Sequence, residues 1–162
     1  MSGKVTAGQR ATLMLAAATA ATYALLLWTG LTRLVPETGG LMPFDLRLFG
    51  YGVPEAEAYL AALTAEGRAA LLGPIRLLDT AFPLLLGALL AVLIWRNGRR
   101  WLAAVPFGYA AVDLWENATI SGIVMRNAPE MADTASNLTQ GKYALLVLSL
   151  ALVWMSWRGR AA

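Results

Sequence analysis

Four long apolar stretches, separated by two short charged segments and one long mixed connection, organise this chain. They cover residues 11–32, 74–95, 101–125 and about 138–157, the last becoming strongly apolar at Tyr143. A crossing of the hydrocarbon layer takes about 20 residues. The pattern therefore predicts an all-α integral membrane protein: one membrane domain over 1–162, built as a four-transmembrane-helix bundle. The first stretch exceeds the core of a secretory signal and is read as a span.

The connection 33–73 is too long to be structureless in so small a chain. Its start, Val35-Pro36-Glu37-Thr38-Gly39-Gly40, has the residues of turns. Pro54 suits the first position of a helix, and Glu55 and Glu57 complement that helix's dipole. Ala56, Tyr59, Leu60 and Leu63 recur at helical spacing. A short amphipathic helix is expected in this outer loop, ending near Gly67, lying on the membrane surface or capping the bundle.

Composition agrees with a membrane chain: 58% hydrophobic residues, 14% charged, mean hydropathy +0.57. The chain has no cysteine and no histidine. Thiolate and imidazole ligation, disulfides and histidine proton shuttles are thereby excluded within it. Two carboxylates three residues apart are not enough for a metal site without imidazole, so no metal and no cofactor is expected. Lys4, Arg10, Arg96, Arg99, Arg100, Arg158 and Arg160 fall at the two termini and the 96–100 turn, where no acid occurs. By the positive-inside rule that end is cytoplasmic, both termini with it. Trp95, Trp101, Trp154 and Trp157 would form an aromatic belt there. The basic residues are accounted for by orientation, and no nucleic-acid surface is indicated.

The chemistry lies in polar residues inside the apolar stretches. Asp79, Asp113 and Glu116 each sit within an expected span, where a charge costs at least about 2.5 kcal/mol on insertion scales. Asp113, Glu116 and Asn117 share one helix face, Arg76 precedes Asp79 by one turn, and Thr139 and Lys142 are three apart. All fall in the outer half, where they can converge, with Arg76 and Lys142 as counter-charges and Arg47 and Arg126 in reserve. Pro83 cannot donate to the Asp79 carbonyl, so the helix is expected to kink or open there; Pro106 acts likewise in the third span. Gly87, Gly108 and Gly122 are candidate positions of close helix packing.

Four short patterns carry a resemblance: Pro43-Phe44-Asp45-Leu46-Arg47 with Gly50-Tyr51; Leu78-Asp79-Thr80-Ala81-Phe82-Pro83; Asp113-Leu114-Trp115-Glu116-Asn117; and Thr139-Gln140-Gly141-Lys142. Together they span about 100 residues of the chain, and they resemble a family of small bacterial four-span membrane proteins that carries no assigned function. In architecture, though not in motif, the chain is also similar to the sterol-isomerase and sigma-2-receptor group. That group implies a helical bundle whose buried acids hold a hydrophobic amine or sterol. The isomerase histidine has no counterpart here.

Two functions compete. In the first, an acidic outer-half pocket binds an amphipathic or cationic lipid-like ligand. Asp79, Asp113 and Glu116 hold its head, Asn117 orients it, Lys142 and Arg76 tune the acids, and Trp115, Tyr109, Phe82 and Phe107 line the apolar part. An acid–base isomerase or cyclase acting on a lipid is a variant of this reading. In the second, the chain is an accessory subunit of a larger membrane complex and its polar cluster locks helix register. A continuous ion path is disfavoured, because the inner stretches Ala88 to Ile94, Ala103 to Phe107 and Leu145 to Val153 offer only Ser149.

Overall fold

The computed structural model describes residues 6–96 and 100–158, so Lys4, Arg99 and Arg160 of the basic end lie outside the described residues. Among the described residues all regular structure is helical. Six α-helices follow in order: α1 (Ala7–Thr29), α2 (Val53–Ala62), α3 (Ala65–Ala70), α4 (Arg76–Trp95), α5 (Ala104–Arg126) and α6 (Ala132–Arg158). The four long ones form a bundle in which α4 packs on α1, α5 and α6, and α5 packs on α6.

Three helical runs are long and apolar enough to cross a membrane: Ala7–Leu34, Ala65–Trp95 and Pro129–Arg158. Their burial is inverted relative to a soluble protein. The residues α6 buries are Ala132, Ala135, Ser136, Thr139, Lys142, Ser149 and Ser156, all small or polar. Its Val147, Leu148, Leu150, Trp154 and Met155 face outward. On α1 only Thr19 and Thr29 are buried. Small and polar groups turned inward with apolar groups outward are what a lipid environment favours. The fourth long helix, α5, is less apolar, because Asp113, Glu116 and Asn117 interrupt it, and all three are buried.

The basic end assembles as the sequence implies. Arg96, at the end of α4, donates to Thr12 Oγ1 (2.8 Å) and to the Gly8 carbonyl (3.3 Å) at the start of α1. A small core of Ala91, Ile94 and Ala103 brings in Leu152 and Val153 of α6. Arg100 stacks on Trp95 and Arg158 on Trp154.

At the opposite end the connection folds inward as a cap. Its apolar side chains join the outer ends of α5 and α6 in the main hydrophobic core, with Phe44, Tyr59, Ile123 and Val124 almost fully enclosed. Phe44 packs between Tyr51 and Tyr59, at ring distances of 4.8 and 4.4 Å. The four apolar positions expected to share a face, Ala56, Tyr59, Leu60 and Leu63, are all buried. Gly67 does not end that helix. The chain breaks at Leu63, and Thr64 caps α3, its hydroxyl accepting from the Gly67 amide. Burial pushes the phenols of Tyr51 and Tyr59 well above their ordinary range. The cap is pinned by Tyr51 N donating to Ser136 Oγ (3.0 Å) and by Arg68 donating to the Val124 carbonyl. Gly50 enables the first pin. Its φ is +90°, and a β-carbon there would meet Ser136 Oγ at 3.0 Å and Gln140 Nε2 closer still.

The helix does not open at Pro83: α4 continues through it with helical backbone, and the irregular backbone falls earlier, at Gly73 (φ −106°, ψ −105°) beside Pro74. Pro106 lies in the first turn of α5, where a missing amide breaks nothing. Of the three glycines, Gly87 alone brings two helices close: a β-carbon on it would lie 3.0 Å from the Pro106 carbonyl oxygen and 3.2 Å from the Ala110 side chain.

Candidate functional site

The geometry of α5 sets the site. Tyr109, Asp113, Glu116, Asn117 and Ile120 repeat every three or four residues, so all face the bundle interior, and all are buried. Trp115, two residues past Asp113, is turned about 200° away and is 63% exposed on the outside. Phe107 is likewise 57% exposed. Neither aromatic lines the interior.

From α6, Lys142 extends Nζ to 2.5 Å from Glu116 Oε2 and 3.5 Å from Asp113 Oδ1. Thr139, one turn earlier, donates to Glu116 Oε1 (2.5 Å), with the Ala135 carbonyl as its in-helix alternative (3.0 Å). One lysine thus serves two carboxylates and staples α5 to α6. The reserve cations are engaged elsewhere. Arg47 donates to the Met42 carbonyl and lies over the rings of Phe44, Tyr51 and Tyr59. Arg126 reaches Met131 Sδ at 3.5 Å.

Asn117 explains why α4 continues past Pro83. Its Nδ2 donates to the Asp79 carbonyl at 2.9 Å, the oxygen that Pro83 leaves without an in-helix donor. A carbonyl oxygen only accepts, which fixes the amide orientation. Asn117 Oδ1 therefore points the other way. It has no hydrogen-bond partner among the described residues, in a side chain only 1% exposed.

Asn117 lines a cavity of about 200 Å³, although that oxygen is itself shielded from the open space. The polar lining is Asp79 and Arg76 from α4, Tyr109, Asp113 and Asn117 from α5, Lys142 from α6, and Asp45 from the cap. Leu26, Leu27, Leu31 and Leu34 of the α1 segment, with Phe82 and Leu146, make the apolar walls. Glu116 lies behind the wall, fully buried with Lys142 and Thr139. Asp79 and Arg76 have no side-chain hydrogen bond or contact ion pair among the described residues. They face each other and Asp113 across longer distances.

Asp45 is the participant that the helical pattern missed, since it lies outside the spans. The Tyr143 hydroxyl donates to its carbonyl (3.1 Å) and holds the segment over the cavity. Its carboxylate faces Asp79 and Lys142. The signal was present in the pattern Pro43-Phe44-Asp45-Leu46, all four of which line the cavity. Each of the four patterns that carry the resemblance contributes lining residues. Comparison with protein families, curated proteins and solved structures returns no match for this chain. What the cavity does is therefore argued from its chemistry.

Proposed function

We propose that this protein is a four-span membrane pocket that binds the cationic head of a lipid-like amphiphile, with α5 as the fourth crossing. At 23 residues α5 is long enough to cross, and its polar groups are sheltered by α4 and α6. Arg10, Arg96, Arg100 and Arg158 share one end of the bundle. On the positive-inside rule this supports cytoplasmic termini in a bacterial inner membrane, with the capped cavity toward the outer side.

The observation that carries the reading is the pairing of an unspent carboxylate with apolar walls. Asp79 lines the cavity with no side-chain hydrogen bond or contact ion pair among the described residues, and a bound ammonium would supply one. The walls and the seam between α1 and α6 favour an amphiphile. Both helices line the cavity, yet they hardly pack on each other, leaving a side on which a tail can lie against lipid. The accessory-subunit reading accounts for the Lys142 staple but gives the cavity no role. The isomerase variant would rest on Asp113 and Glu116, and both are engaged by Lys142.

Native mass spectrometry of the detergent-purified protein tests the reading, beside its Asp79→Asn variant. Asp79 is the residue to change, because altering Asp113 or Glu116 would unbalance the buried lysine. A discrete amphiphile on the wild type, lost in the variant, is expected. A wild type that remains bare after extraction in mild detergent overturns the pocket.

A further inference from the structure

We infer that the headgroup is zwitterionic, of the aminoalkyl-phosphate class: an ammonium seated at Asp79 and an anionic phosphate held by Arg76. This rests on the pocket proposed above and names what fills it.

Three features of the lining lead to this class. Asp79 lines the cavity without a side-chain hydrogen bond or contact ion pair among the described residues, and its carboxylate is the group there that suits an ammonium. Arg76 supplies the second feature. Its guanidinium lines the same cavity, half-buried, without a contact ion pair among the described residues. A guanidinium with free donors in such a place suits a phosphate, which it can grip by two parallel hydrogen bonds. Lys142, the other cation in the lining, is already committed to two carboxylates.

The third feature is spacing. Arg76 and Asp79 lie three residues apart on α4, on one face and about 4.5 Å apart along the axis. An ammonium two or three carbons from a phosphate spans one such turn. A simple alkylamine would fill the Asp79 side and leave Arg76 unused. A phosphate monoester head would do the reverse and bring its charge against Asp79, Asp113 and Asp45.

The test is a native mass spectrometry competition on the full chain in mild detergent. It uses four probes of matched chain length: an ethanolamine phospholipid, a choline phospholipid, a phosphatidic acid and a long-chain alkylamine. The ethanolamine and choline heads, which carry both charges, are expected to bind best, each about tenfold more tightly than the phosphatidic acid and the alkylamine. Arg76→Gln is expected to reduce both to the level of the alkylamine in a variant that circular dichroism shows to be folded. An alkylamine that binds as tightly as the two zwitterions overturns the phosphate half. A phosphate preference that survives Arg76→Gln overturns the role of Arg76. In either case amine binding that still depends on Asp79 leaves the pocket itself standing. Failure of all four probes removes the pocket and this inference together.

Discussion

Replacing Lys142 by methionine probes the staple between α5 and α6 most directly. The substitution keeps the chain length and removes a charge that is 6% exposed, between carboxylates that are 3% and 0% exposed. At an effective dielectric constant of about 20, the attractions across 2.5 and 3.5 Å are roughly 7 and roughly 5 kcal/mol. Desolvation of three ions offsets much of this, and removal of one partner from a buried pair costs about 3–5 kcal/mol in practice. For a chain this size that corresponds to a fall of about 6–20 °C in melting temperature. Thermal unfolding of purified protein in a fixed detergent measures it, by loss of helical circular dichroism or by tryptophan emission. The companion variant is Lys142→Met with Asp113→Asn and Glu116→Gln. It removes the stranded charges along with their partner and should recover most of the loss. If Lys142→Met melts within about 2 °C of the wild type, the staple carries no net charge interaction. If the triple variant is as unstable as the single one, the loss comes from packing, and the electrostatic reasoning fails.

Two further outcomes follow from other parts of the structure. Asn117→Leu should destabilise the bundle by about 1–3 kcal/mol, since it strands the Asp79 carbonyl. In a Pro83→Ala background, where residue 83 regains an amide, the same change should cost clearly less, and strict additivity in the double-mutant cycle would refute the assigned partner. In the cap, the amides of Gly52 and Glu55 hold the exposed Glu55 carboxylate below the usual range, with Gly52 N donating to Oε2 at 2.9 Å. A carboxyl whose folded pKa is depressed adds stability above its unfolded value, near 4.5, and loses it as pH falls through the lower folded value. An NMR titration should place the Glu55 midpoint below its unfolded value near 4.5, and Glu55→Gln should flatten the pH dependence of cap opening measured by hydrogen exchange between pH 5 and pH 3. A Glu55 midpoint at or above that unfolded value would remove the cap interaction.

Hydropathy and periodicity alone determined the long helices, the shared basic end and the inward face of α5, because each is a property of spacing along one helix. Asp113, Glu116 and Asn117 must share a face wherever α5 sits, and Ala56, Tyr59, Leu60 and Leu63 must share one on the cap. The burial inversion of α6 was implicit in its stripe of small and polar residues but became visible only once neighbouring helices covered that stripe. Partner choice was not local. Several arginines and one lysine were plausible counter-charges to the acids, and register and reach assigned both α5 carboxylates to Lys142 while Arg47 went to an aromatic box. The continuity of α4 was equally hidden. A proline removes a donor within its own helix, but the replacement arrives from Asn117, 38 residues past Asp79. The fold of the cap brings Asp45 over the cavity. Sequence thus set which groups could do chemistry, and only packing between helices decided which of them remained unsatisfied.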